Sequence, residues 1–350
     1  MRPLSQNAML KLTSRVYQMP LQHPFTISRY TVTVQTTVIA TITDGVFYGY
    51  GEATANPYYH SSAQKITASL QRIAPLVSNV QDLHPEEFWD FIEPHLREDY
   101  FALCAADVAY WDYYAKKHQK PLRRFFSASD DAPLTSYTIG LDSVAQMKLK
   151  MEQMPWPIYK IKLGTRQDLE IVSQLRRASN SVFRVDANAA WTPTQAIILS
   201  HELAKLGVEF IEQPLPADDI GMKRVKELSA LPVMADESCQ KAADVQACAG
   251  LFDIVNIKLM KCGGITPALG MIKMAKSLGM RVMAGCMTES SVGISALCQL
   301  APLLDYLDAD GALLLAGEPA SGVTFHYGKI QWVEAPGTGA FLLSDPSTKC

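Results

Sequence analysis

From about residue 134 onward, short β-branched and apolar runs alternate with amphipathic stretches, and few folds accept that rhythm. The strand-like runs lie at 136–139, 158–163, 182–186, 208–211, 233–235, 254–258, 281–284 and 306–308. Between them, stretches at 168–177, 193–205, 222–230, 242–249, 267–278 and 293–300 carry apolar residues at helical spacing. Strands joined by crossover helices run parallel, because each helix carries the chain back before the next strand begins. Eight such strands predict an α/β fold closed into a (β/α) barrel.

The first third has another texture. Residues 31–43 (TVTVQTTVIATIT) are β-branched and partly alternating, which predicts a strand. Asp44-Gly45 supplies a turn, and 46–51 returns as a second strand, making a hairpin. Helical spacing follows at 61–76 and 101–117. Residues 1–130 are therefore expected to form an α+β module ahead of a barrel over 131–321. The tail after Gly322 reads as a last hairpin that returns to the first module, so 322–350 would complete it.

Composition removes several classes. Lys plus Arg number 32 against 35 Asp plus Glu, a net charge of −3, without the basic excess of a general nucleic-acid binder. The longest apolar runs, such as 312–316, fall far short of the roughly 20 residues that span a bilayer. The N-terminal MRPLSQNAMLKLTSRV has no continuous apolar stretch and does not read as a secretory signal. Seven scattered cysteines form no CxxC pair, which predicts reduced thiols in a cytoplasmic protein. The expected partner is a small molecule, with neither nucleic acid nor membrane; assembly into a homo-oligomer is left open.

Barrel enzymes place their chemistry at the C-terminal ends of the strands. There the second to sixth predicted strands carry Lys160 and Lys162, Asp186, Glu212, Asp236 and Lys258, each set 22 to 26 residues from the next. That interval is one strand plus one helix, so these groups should converge at one height. Three converging carboxylates repel one another unless a cation joins them, and three hard oxygen ligands without His or Cys point to Mg²⁺ rather than zinc. Lys160 and Lys162 are two apart and share a strand face, with Lys258 across the barrel. A substrate carboxylate on the metal would then sit between lysine walls. Its α-proton would be acidified, an enediolate stabilised, and the proton removed by one lysine and returned by the other. A lone Asp at a strand end is usually a helix cap and a lone Lys a solvated surface group; the set in register is what argues for catalysis.

The segments YKIKLG, VDANAAW, FIEQPL, MADES and NIKLMKCGG together resemble the enolase superfamily, and the paired lysines with their opposite partner resemble its muconate lactonizing enzyme subgroup. LQHPFTISRYT, GYGEATANPYY and CAADVAYWDYYAKKHQKPL are similar to that subgroup's capping segments. The resemblance spans roughly residues 10 to 335. It implies a modified TIM barrel, (β/α)7β, with an α+β capping domain. It further implies Asp186, Glu212 and Asp236 as Mg²⁺ ligands, Lys162 and Lys258 as the acid/base pair, and Lys160 as an electrostatic helper, an arrangement known from enolase-type sites.

Asp308-Ala309-Asp310 places two carboxylates two residues apart at the end of the last strand, which suits a cation such as the α-ammonium of a peptide. It resembles the DxD signature of dipeptide epimerases, including L-Ala-D/L-Glu epimerases. Substrate contacts are expected from Asp308, Asp310, Lys160, Glu289 and the capping-loop residues Arg29, Tyr30, Tyr58 and Tyr59, with a helix-start role for Glu289 as the alternative. The tyrosines suit an apolar or mixed second side chain better than a glutamyl carboxylate. The expected activity is thus Mg²⁺-dependent 1,1-proton transfer at the α-carbon of the C-terminal residue of an Ala-Xaa dipeptide. The alternatives are another subgroup reaction on a substrate without a free ammonium (o-succinylbenzoate synthase, N-acylamino acid racemase or cycloisomerase) and a barrel kept only for binding.

Overall fold

The computed structural model describes residues 9–27, 30–80 and 82–343. Among them, the first module holds a three-stranded antiparallel sheet, β1 (Lys11–Thr26), β2 (Thr31–Thr43) and β3 (Tyr48–Thr54), in chain order. The expected hairpin is β2–β3. Gly45 takes φ 88°, and Asp44 Oδ1 accepts the N–H groups of Val46 and Phe47 to close the turn. Strand β1 left little trace in the sequence because only its Leu12 and Met19 are buried, so no alternation marks it.

Helices α1 (Ala63–Val77), α2 (Pro85–Leu96) and α3 (Tyr100–Lys117) cover this sheet. Helix α2 was not foreseen; its buried stripe is Phe88, Ile92 and Leu96, entered through Pro85 and a His84/Glu87 capping box. Helix α3 is buried nearly all round, lying between the sheet and the barrel. It approaches β3 closely because Gly49 and Gly51 carry no side chain: a Cβ on either would overlap the backbone of Ala109 or Ala105.

The second module has parallel strands β4 (Tyr137–Ile139), β5 (Ile158–Lys162), β6 (Val182–Asp186), β7 (Val208–Glu212), β8 (Val233–Ala235), β9 (Ile254–Ile257), β10 (Arg281–Gly285) and β11 (Tyr306–Asp308), each bonded to the next. A parallel bridge from Thr135 to Leu307 joins the last strand to the first. The helices between them are α4 (Val144–Gln153), α5 (Asp168–Arg176), α6 (Pro193–Lys205), α7 (Met222–Leu228), α8 (Ala242–Cys248), the short α9 (Leu259–Cys262), α10 (Ile265–Ser277) and α11 (Ser291–Cys298). The sequence reading lacked α4, which buries only Met147 and Met151 and so shows too narrow a stripe.

Buried carboxylates of the first module dock it onto barrel helices. Glu52 of β3 accepts the N–H groups of Ser290 and Gly293 at the start of α11, with the hydroxyls of Ser290 and Thr37. Asp107 of α3 accepts the N–H and hydroxyl of Thr266 at the start of α10. Helix N-termini carry partial positive charge and unmatched donors, which explains why acids sit there. The tail forms a hairpin, β13 in chain order being preceded by a two-residue strand: Ala320–Ser321 (β12), Thr324–His326 (β13) and Lys329–Gln331 (β14). Beyond it, Thr338 donates to Asp112 of α3, and Gly337 exchanges backbone bonds with Lys120 and Leu122. The tail also touches the barrel, where Gly328 O accepts the Thr135 N–H and Ser295 Oγ accepts the Val323 N–H. No helix among the described residues is long and apolar enough to cross a membrane.

Candidate active site

The register between strands sets the heights of the charged groups. Lys162, Asp186 and Glu212 stand on one rung, since Lys162 pairs with Asp186 and Asp186 with Glu212. The register then steps: Glu212 pairs with Met234, so Asp236 lies two residues further along its own strand. The expectation of one common height therefore holds for part of the ladder only. A closed barrel is sheared, and tilted strands still bring staggered residues to one centre.

One oxygen from each of Asp186, Glu212 and Asp236 lies within 4.8 Å of the others, all three residues being buried. Each of the three acids has one oxygen against a lysine. Lys162 Nζ is 2.6 Å from Asp186 Oδ2, Lys160 Nζ is 2.8 Å from Glu212 Oε2, and Lys258 Nζ is 2.8 Å from Asp236 Oδ2. Lys160 also reaches Asp186 at 3.6 Å and Asp308 at 2.8 Å. Its ammonium is off the hydrogen-bonding direction of Glu212 Oε2, and no donor is aimed at that buried atom. Three hard oxygens around one point, one of them lacking a donor, fit a divalent cation.

The charges respond to burial and to one another. Burial pushes Glu212 up to about 7, with Asp186 and Asp236 adding to the rise against the pull of Lys160. Burial also opposes ionisation of Asp236, but Lys258 and Lys261 override it and hold the carboxyl well below the usual range. Asp186 is likewise lowered, by Lys162 and Lys160 against burial. For Lys160, burial favours the neutral amine, yet Asp308, Glu212 and Asp186 hold it well above the ordinary lysine range. Lys162 on β5 and the residue after β9, Lys258, stand four strands apart in the ring of eight, on opposite walls. Both line the cavity under the cap.

Asp308 and Asp310 line the same cavity. Asp308 Oδ1 accepts Ser136 Oγ at 2.6 Å, while its other oxygen takes Lys160. Asp310 Oδ2 accepts the Thr138 N–H at 2.5 Å. Burial, then the neighbouring Asp308, pushes Asp310 up to about 7. The cap supplies Phe25, Ile27, Tyr30, Val32, Tyr58 and Tyr59 to the opposite wall. Tyr58 and Tyr59 meet edge to face at 4.9 Å. Arg29 lies outside the described residues.

Glu289 Oε1 accepts the Met287 N–H at 2.7 Å, and its other oxygen lies over Gly293 beside the first turn of α11. Burial and the nearby Glu52 push it up to about 8. Its neighbours Met287 and Thr288 line the cavity. The sequence reading missed Asn256, whose Nδ2 donates to Glu212 Oε1 at 2.9 Å, and Lys261, whose Nζ donates to Asp236 Oδ1 at 2.7 Å. Asn256 shares a strand face with Lys258, the alternation already applied to Lys160 and Lys162, and that signal was available. The sequence reading missed Gln213 as well, which sits at φ 35° and accepts the N–H groups of Asp236 and Ser238, tying the loop after β8 to the end of β7.

A capped barrel with opposed lysines around a carboxylate triad is the machinery of an acid/base enzyme acting at a carbon beside a carboxylate. The chain belongs to the mandelate racemase/muconate lactonizing enzyme family of enolase-like proteins. The family's N-terminal domain model matches residues 10–126, and the model described as enolase C-terminal domain-like matches 142–345. The chain is 49% identical over 336 residues to an L-Ala-D/L-amino acid epimerase of Flavobacterium johnsoniae, covering 95% of this chain and 100% of that one. It is 35% identical to an L-Ala-D/L-Glu epimerase of Bacteroides thetaiotaomicron, covering 95% and 88%. Among solved structures, it is similar to the dipeptide epimerase of Enterococcus faecalis complexed with Mg and L-Leu-L-Tyr. The TM-score is 0.89 at 29% identity, covering 95% of this chain and 99% of that one.

Proposed function

We propose that this protein is a Mg²⁺-dependent dipeptide epimerase that inverts the α-carbon of the C-terminal residue, with a small N-terminal residue such as alanine. The observation that carries the reading is the pair Lys162 and Lys258 on opposite walls of one carboxylate centre. The relatives' names support the dipeptide, as do Asp308 and Asp310 on the same cavity.

Asp186, Glu212 and Asp236 would hold the metal. When bound, Mg²⁺ supplies positive charge at the substrate carboxylate and so acidifies the neighbouring C–H. Lys162, as the free amine, takes the α-proton from one face, and Lys258, as the ammonium, returns one to the other; the opposite epimer runs through the same groups in reverse. Lys160 stays charged and faces the negative charge of the enediolate as it develops. Asp308 and Asp310 receive the substrate ammonium, and the cap's aromatic and aliphatic residues enclose the second side chain and exclude water. We place the enzyme in the cytoplasm, a reading supported by the free thiols of the six described cysteines.

The test is proton NMR in deuterated water with a panel of L-Ala-L-Xaa dipeptides. Mg²⁺-dependent loss of the C-terminal residue's α-proton signal, with the other epimer appearing, is the expected result. Absence of exchange with every dipeptide, in protein shown to bind Mg²⁺, would remove the dipeptide reading. Exchange confined to N-acylated amino acids would favour the racemase alternative.

A further inference from the structure

Each acid of the triad has one oxygen held from behind. Asp186 Oδ1 accepts the Asn188 N–H at 2.8 Å, Glu212 Oε1 accepts Asn256 Nδ2 at 2.9 Å, and Asp236 Oδ1 accepts Lys261 Nζ at 2.7 Å. The second oxygen of each meets Lys162, Lys160 or Lys258. The three holds differ in strength: a backbone amide, a side-chain amide and a full charge. Lys261 is the firmest. Its side chain has no solvent exposure, and its ammonium also meets the carbonyls of Asp236 at 2.5 Å, Cys239 at 2.8 Å and Asn256 at 3.2 Å. With four oxygen acceptors for three N–H groups, it has no freedom to swing aside.

We propose that Lys261 is a positioning residue that restricts Asp236 to one-oxygen ligation and thereby makes the site select Mg²⁺ over Ca²⁺. This rests on the metal reading above. Mg²⁺ takes six ligands in a tight octahedron and keeps several waters, so three single oxygens suit it. Ca²⁺ seeks six to eight oxygens at longer distance and often takes both oxygens of a carboxylate. A carboxylate whose second oxygen is tied to a buried ammonium cannot offer both. The same positive charge weakens attraction for every divalent ion alike, so Lys261 is poorly explained as a device for raising affinity.

The test is calorimetric titration of metal-free protein with Mg²⁺ and, separately, Ca²⁺, for the wild type and Lys261→Met. Partners behind metal ligands change affinity by about 10–100-fold. The expected result is a wild type that prefers Mg²⁺ and a variant whose Mg²⁺-to-Ca²⁺ affinity ratio falls at least about tenfold. If both ions tighten by the same factor, Lys261 acts through its charge alone; if both weaken equally, it is a structural support. Either outcome overturns the proposal while leaving the metal reading intact. A wild type that binds neither ion takes down both. Should Lys261→Met fail to fold, a wild-type crystal grown with Mg²⁺ decides the point: one Asp236 oxygen on the ion supports the proposal, and two overturn it.

Discussion

Replacing Asp310 by Asn and, separately, acetylating the substrate's amino group remove the two halves of one predicted contact. Asp308 already faces Lys160 at 2.8 Å, so Asp310 is the acid with more to gain from a bound ammonium. Burial and Asp308 push it up to about 7 from its ordinary 3.8. A bound ammonium that restored the ordinary value would return about 3 pH units of stabilisation, or about 4 kcal/mol as an upper bound. Coupling across a close buried charge pair runs from about 1.5 kcal/mol upward. The expected coupling is therefore about 2–4 kcal/mol, or about 30- to 1,000-fold in kcat/KM. The assay is a cycle of four kcat/KM values by deuterium exchange: wild type and Asp310→Asn, each with L-Ala-L-Xaa and its N-acetyl form. Either single change should slow exchange, and the second should add little to the first. If Asp310→Asn slows both substrates by the same factor, the carboxylate does not recognise the ammonium.

Lys162→Ala and Lys258→Ala should each abolish exchange from one epimer more than from the other, by about 10²–10⁴-fold; equal losses from both epimers in both variants would argue against opposed bases. Asp107, fully buried against Thr266, is pushed up to about 7 by burial. The folded state thus holds a proton that the unfolded chain releases near pH 4. Its contribution is full at low pH and lost as the pH rises toward 7, about 4 kcal/mol in all. Asp107→Asn should therefore gain stability relative to the wild type between pH 4 and 7, and urea melts across that range that run parallel would contradict the assignment. Gly51→Ala would drive a methyl into the Ala105 carbonyl beneath α3 and should cost about 1–3 kcal/mol or more, read as a lowered melting temperature; an unchanged melt would mean that α3 can move away from β3.

The carboxylate triad and the two lysine positions were legible in the chain because each ends a run of fixed character. Asp186 closes VFRVD and Glu212 closes VEFIE, and residues one strand and one helix apart recur at one end of a parallel sheet whatever the packing. Asp308 was legible as the end of the last strand, but Asp310 lies past it at φ −93° and ψ 3°, so alternation does not put it on the cavity. Strand β1, with two buried side chains, and helix α4, with two buried methionines, left no periodic signal to read.

Local pattern names the groups at strand ends, since backbone periodicity alone orients them. Which oxygen of each acid faces inward, and what grips the other, depends on contacts between elements far apart in the chain. Lys261 reaches back 25 residues to Asp236, and Asn256 reaches 44 to Glu212. Glu52 likewise reaches 238 and 241 residues to the N–H groups of Ser290 and Gly293, a docking of cap on barrel that exists only once both have folded.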